Sequence, residues 1–184
     1  MKAGIRFVAI ASGPINGRER ALIVGVVGRD GVIEGVLSSS MEVDGDDSTA
    51  RIIRMVRTSR FSEQIRLVAL NGIALAGLNV VNVPQLEKAL KVKAVVLTRG
   101  RPRPRLLVRA LNEFSKVSGK DVGGRISLVK EQAKTESVIA YGFHLQSSID
   151  GSEIKKLAKP IYETLRVAHL IARGVVTGES RGRI

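Results

Sequence analysis

The chain contains no cysteine and no tryptophan, and its aromatic residues are limited to four phenylalanines and two tyrosines. Without cysteine there are no disulfides, no thiolate metal sites and no cysteine nucleophile. Histidine is nearly as scarce. With only His144 and His169, a zinc site would have to lean on carboxylates, an uncommon choice. A core with so few aromatics points to layered strands and helices of Val, Leu, Ile and Ala rather than an aromatic-rich sandwich. Acid is short as well: 17 Asp plus Glu against 30 Lys plus Arg leave a formal charge of +13. A field of that sign favours polyanions, nucleic-acid phosphates first among them.

Residues 67–86 carry no charge, but Asn71, Asn79, Asn82, Gly72, Gly77 and Pro84 interrupt the run. That composition suits buried strand, loop and turn better than a lipid-facing helix. The first residues lack the apolar core of a signal peptide. A soluble, cytoplasmic protein with no membrane partner is expected. At 184 residues, one domain spanning 1–184 is the expected organisation. No phosphate-binding loop, dinucleotide fingerprint, zinc-protease motif or nucleophile elbow is present.

The most unusual stretch is Val43-Asp44-Gly45-Asp46-Asp47-Ser48-Thr49, with three carboxylates within four residues of a basic chain. It joins a strand to a helix over 47–58, whose Ile52, Ile53 and Val56 recur at helical spacing. The acids therefore sit where carboxylates can face a cleft at the carboxyl end of a sheet. They equally suit a turn and a helix cap.

Strands are expected over 5–10, 21–27 and 32–37, the third running on through Met41 and Val43. Gly28-Arg29-Asp30-Gly31 forms a tight hairpin between the second and third. A fourth strand over 65–70 ends at Asn71-Gly72, and a buried strand lies within 93–98. The helices over 47–58 and 85–90 alternate with the last two of these strands, which calls for parallel pairing through right-handed crossovers, and a further helix follows over 106–117. Residues 126–130 and 138–145 read as a hairpin or two edge strands. Asp150-x-x-Glu153 resembles a capping box for a short helix to Ala158, and Pro160 starts the last helix. The tail, 174–184, is basic.

Arg99, Arg101, Arg103 and Arg105 form the densest basic segment, and Pro102 and Pro104 between them argue for an extended loop rather than a helix. Arginine forks bind phosphate bidentately, so the loop is a candidate for backbone contact. A solvated surface loop is the plainer alternative. His169, on a helix, is either a proton carrier or ligand, or a satisfied structural residue.

Several segments together carry a resemblance. These are Val43-Asp44-Gly45-Asp46-Asp47, Leu70-Asn71-Gly72-Ile73 and Ala76-Gly77-Leu78-Asn79-Val80-Val81. Near the end come Arg166-Val167-Ala168-His169-Leu170-Ile171-Ala172 and Gly178-Glu179-Ser180-Arg181-Gly182-Arg183. The chain resembles, over essentially its whole length, the archaeal DUF99 family, which is similar to endonuclease V. The resemblance implies a ribonuclease-H-like three-layer α/β fold with a mixed central sheet flanked by helices. It also implies metal-dependent cleavage of nucleic acid near deaminated bases, with DNA placed ahead of RNA as the partner.

On that reading Asp46, Asp47, Asn71 and His169 would be catalytic, and Asp44 and Asp47 would hold Mg²⁺ or Mn²⁺. Arg99, Arg101, Arg103, Arg105, Arg166 and Arg181 would bind nucleic acid. The chain departs from the pattern at two places. Ala11 and Ser12 stand where the family ends its first strand with paired aspartates, and Asn71 stands where endonuclease V has an aspartate. Hard cations depend on charged oxygens, so three readings stay open: a nuclease, a silent nucleic-acid-binding module, or a basic protein-interaction domain.

Overall fold

A computed structural model describes residues 4–181. Its centre is a seven-stranded mixed sheet in the order β3-β2-β1-β4-β7-β9-β8. The strands are β1 (Phe7–Ser12), β2 (Arg20–Arg29), β3 (Val32–Glu42), β4 (Leu67–Asn71), β7 (Lys93–Thr98), β8 (Ser137–Ala140) and β9 (Phe143–Ser147). β1, β4 and β7 are parallel neighbours, as the alternation of strands and helices predicts. The β2–β3 hairpin turns at Asp30 and Gly31, both at positive φ, as an Asp-Gly turn requires.

Alternation along β1 explains the layers. Val8 and Ile10 point to a core shared with Ile52 and Val56 of α1 (Ser48–Arg57) and Leu86 of α2 (Val83–Leu90). Phe7 and Ala9 point the other way, to Ile154, Ile161 and Leu165 of α5 (Gly151–Thr177). Strands covered on both faces must be apolar on both, which is why β4 reads as a continuous apolar run. A smaller hairpin, β5 (Ala74–Leu75) with β6 (Asn79–Val80), leaves the end of β4. α3 (Pro104–Ser118) and α4 (Gly123–Gln132) cover that side, packing Leu111, Val122 and Val129 around Val80.

Three expectations are corrected. Residues 126–130 are not a strand but part of α4. Their short alternation of apolar residues was misleading, because Val122, Ile126 and Val129 lie at helical spacing and all join one cluster with Leu111. Packing outweighs the poor helix propensity of Gly123 and Gly124. The two expected helices around Pro160 are one continuous helix, with Pro160 inside it. Asp150 caps it as expected, accepting the Ser152 N–H at 2.9 Å. A proline there removes a helix hydrogen bond at a cost of about 3 kcal/mol. The buried row Ile154, Ala158, Ile161 and Leu165 offsets it, since each large side chain contributes roughly 1.5–3 kcal/mol. Finally, Pro104 does not prevent a helix but starts α3, as its fixed φ allows in a first turn. Arg105 is therefore helical, and the loop ends at Arg103.

Candidate functional site

The carboxyl ends of β1, β4 and β7 form one edge. Ile10 pairs with Leu70, and Asn71 with Leu97, so Ala11 lies level with Asn71, and Ser12, Asn71 and Thr98 end neighbouring strands. The Ala11 side chain is fully buried, in a cluster with Ala168 and Ala172 of α5. Gly13 lies against the same helix: a Cβ there would sit 2.9 Å from the Ala172 carbonyl. The close approach of β1 and α5 thus depends on a missing side chain. The end of α5 and the tail, with Arg173, Thr177 and Arg181, line a shallow recess nearby.

His169 belongs to a stripe on α5. Tyr162, Arg166, His169 and Arg173 recur at helical spacing, one position round from the buried row Ile161, Leu165, Ala168 and Ala172. On the opposite flank Val167 and Ile171 pack toward β2. Tyr162 stacks on Phe143, with ring centroids 4.5 Å apart, and Phe143 lies at the β7 carboxyl edge because His144 pairs with Thr98. The stripe therefore runs along the carboxyl-edge side of the helix. Burial lowers the pKa of His169, and the charge of Arg173 lowers it further, so the imidazole is neutral at neutral pH.

The acidic turn is at the same edge, but its carboxylates face three different partners. Asp44, at φ +53, uses Oδ1 to accept the Leu78 N–H at 2.7 Å. Asp47 precedes α1. Its Oδ1 accepts the Glu42 N–H at 3.0 Å and the Asn79 side-chain amide at 2.9 Å. Its Oδ2 accepts Arg51 Nε at 2.8 Å. Burial pushes the Asp47 carboxyl up, but the bonds from Arg51, Asn79 and Glu42 outweigh it and hold the pKa below the ordinary value. Asp46 lies 2.9 Å from Nε of Arg125 without the alignment of a hydrogen bond. Between this turn and Ser12 lies Ala76, whose carbonyl accepts the Asp44 N–H and whose N–H donates to the Ser12 hydroxyl.

Among the described residues no group of three or more acidic or imidazole side chains comes together as a metal-binding set. The donors at the strand ends are Ser12, Asn71 and Thr98, all neutral. Hard divalent cations need several oxygens, charged ones foremost. The residues present do not fit Mg²⁺ or Mn²⁺.

Two connecting residues escaped sequence reading. Asn79, fully buried, also accepts the Ser48 N–H at 3.0 Å and joins α1 to the β5–β6 hairpin. A buried amide inside an uncharged run needs partners, which was the available signal. Arg125 is 5% exposed, lies over the Phe114 ring, and donates through Nη1 to the carbonyls of Asp44 and Leu78. No sequence feature marks it.

The arginine loop leaves β7 at the same edge. Thr98 Oγ1 donates to the Gly100 carbonyl at 2.9 Å and shapes its first turn; Arg101 and Arg103 are exposed. Beside it, a largely apolar slot of about 250 Å³ opens between Gly72, Thr98, Arg103, Leu107, Val129 and Gln146. Arg166 is paired with Glu163 at 2.9 Å. Arg183 lies outside the described residues.

A mixed sheet with these layers and this edge makes an α/β protein whose fold is similar to that of endonuclease V. The structure is similar to endonuclease V of Ciona intestinalis in complex with an inosine-containing DNA, at TM-score 0.59 and 10% identity. That match covers 95% of this chain and 87% of the other. It is similar also to a protein of unknown function from Archaeoglobus fulgidus, at TM-score 0.81 and 28% identity over 94% and 98% of the two chains. A UPF0215 protein of Methanothermobacter thermautotrophicus is 36% identical over 99% of this chain and 93% of its own. Residues 3–176 match the endonuclease dU family, and the chain belongs to that family. No helix among the described residues is long and apolar enough to cross a membrane.

Proposed function

We propose that the chain binds nucleic acid along the carboxyl edge of its sheet, as a module in which neutral side chains stand in place of hydrolytic carboxylates. The observation that carries this reading is the exit of the arginine loop, with Arg99, Arg101 and Arg103, at the strand ends that also present Asn71 and Ser12. Arginine contacts to phosphate position a strand without reading its sequence. The excess of thirteen positive charges supplies long-range attraction. Support from the fold is that the similar Ciona protein was crystallised on DNA. The sheet, with antiparallel β1–β3 leading into parallel β4 and β7, supports the ribonuclease-H-like reading that the resemblance implies.

The second reading is metal-dependent cleavage near deaminated bases, favoured by the family name and by the neutral imidazole of His169, which is suited to accept a proton. Against it stand Ala11, Ser12 and Asn71, and the hydrogen bonds that already occupy Asp44 and Asp47.

Anisotropy titrations of labelled DNA and RNA oligonucleotides across a salt series test the first reading. Affinity should fall steeply with salt, and Arg101→Ala with Arg103→Ala should flatten the slope by about one unit per lost phosphate contact. Salt-insensitive or absent binding sinks it. Mn²⁺-dependent nicking of deoxyuridine or deoxyinosine strands by the wild type, lost in His169→Ala, would establish the second.

A further inference from the structure

Half of the aromatic residues in the chain gather at one place. Tyr141, Phe143 and Tyr162 form a contiguous cluster: Tyr162 stacks on Phe143, and Tyr141 lies 5.5 Å from Tyr162 at a tilt of 50°. Phe143 and Tyr162 are partly buried against the α5 face of the sheet. Tyr141 is not. It stands at the tip of the β8–β9 hairpin, half exposed, and among the described residues it is the only aromatic side chain that is exposed rather than buried or partly buried.

The backbone adds a second observation. Tyr141 and Gly142 link the paired residues Ala140 and Phe143, and both have positive φ, +52° for Tyr141. Such two-residue turns prefer Asn or Asp before Gly, and a bulky aromatic residue is a strained choice there. A side chain held at local cost, at a hairpin tip and half exposed, points to a role outside the fold.

Its surroundings name the ligand. Thr98 pairs with His144, so Arg99 leaves β7 beside Phe143 on β9. The arginine loop and the aromatic tip thus leave the sheet side by side. Arg166 is one helical turn beyond Tyr162 on the same flank of α5. A ring platform beside a row of guanidinium groups is the combination that holds single-stranded nucleic acid, with bases on the rings and phosphates on the arginines.

We infer that Tyr141, backed by Tyr162 and Phe143, is a stacking platform for one unpaired base of a nucleic-acid strand whose phosphates lie on the arginine loop. This rests on the nucleic-acid reading above and extends it by specifying an unpaired strand and the residue that holds its base. Every base presents a π-face, so the platform is tolerant of sequence.

Since the chain has no tryptophan, Tyr141→Trp installs a single tryptophan at the tip, which can be excited selectively. It would be titrated with an oligothymidine strand, an abasic strand of equal length, and a fully paired duplex. Stacking predicts strong quenching by oligothymidine and little by the other two. In parallel, Tyr141→Ala should weaken oligothymidine binding about tenfold with the salt slope unchanged, and Tyr141→Phe should bind like the wild type. Equal quenching by the abasic strand, or wild-type affinity in Tyr141→Ala, overturns the platform. If Arg101→Ala with Arg103→Ala still flattens the salt slope in that case, the wider reading stands alone. No salt-sensitive binding of any strand by the wild type removes both.

Discussion

Arg125 donates through Nη1 to the backbone carbonyl of Asp44 at 2.9 Å, across 81 residues of sequence. This contact, with a second to the Leu78 carbonyl at 3.2 Å, ties α4 to the acidic turn and to the β5–β6 hairpin. Nη2 has no hydrogen-bond partner among the described residues. The buried guanidinium is thus held by two carbonyls at Nη1, with the Asp46 carboxylate beside Nε and the Phe114 ring under its centre.

Removing this anchor should destabilise the protein far more than removing the carboxylate beside it. Arg125→Ala loses two charge-assisted hydrogen bonds and leaves a void, at a cost of about 2–4 kcal/mol. That corresponds to a fall in Tm of roughly 5–15 °C at this chain length. Asp46, whose side chain is 72% exposed, should matter by under about 1 kcal/mol. Equal losses in thermal melts of the two variants would contradict the asymmetry.

Gly77 is held by close approach as well as by its dihedral angle. It has φ +85°, and a Cβ there would lie 2.2 Å from Oδ1 of Asp44. Gly17 has a similar φ of +70° with nothing within 4 Å. Gly17→Ala should therefore cost only the backbone penalty, about 1 kcal/mol, and Gly77→Ala at least about 2 kcal/mol more as the Asp44 bond to Leu78 is displaced. Urea unfolding of both variants separates the two effects.

Asp47 should contribute to acid sensitivity. Its folded pKa is depressed, so its stabilisation is present above the unfolded carboxylate pKa of about 3.9. It is lost as pH falls through the folded value. Asp47→Asn should be less stable than wild type at neutral pH and should lose less stability between about pH 5 and pH 2. Parallel curves for the two proteins would exclude Asp47 as a source of the acid loss.

His169 should act in a different window. Its folded pKa is also depressed, so its contribution is present above the unfolded value of about 6.5. It declines as pH drops from there through the folded pKa, where the unfolded chain binds the proton more readily. His169→Gln should flatten the pH dependence of the urea midpoint between about pH 7 and pH 5. An unchanged slope would show that the imidazole titrates normally.

Ala11→Asp should be strongly destabilising without a divalent cation, because position 11 is fully buried and a desolvated carboxylate costs several kcal/mol. Mn²⁺ should raise the Tm of Ala11→Asp with Ser12→Asp, as binding to the folded state requires, and leave the wild type unmoved. A Mn²⁺-dependent rise in wild-type Tm would show that its present donors do hold a cation.

Much of the architecture was legible because strands and helices impose periods on apolar residues. The parallel core of β1, β4 and β7, the Asp-Gly hairpin and α1 all follow from such local patterns. The errors came where local preference and packing disagree. Gly123 and Gly124 weaken a helix that the Leu111 cluster nevertheless stabilises, and Pro160 interrupts hydrogen bonding in a helix whose buried row continues through it.

The candidate site divides along the same line. By itself the sequence determined a basic α/β protein of this family, the neutral residues Ala11, Ser12 and Asn71, and the placing of an arginine loop after a strand. Only the tertiary structure decided that Leu78 holds Asp44, that Glu42, Asn79 and Arg51 hold Asp47, that Arg125 reaches the Asp44 carbonyl, and that Tyr141 stands exposed beside the arginine loop. The physical reason is range. Composition and periodicity act over a few residues, whereas a carboxylate's partners and a ring's neighbours come from segments distant in the chain, which only the folded sheet brings together.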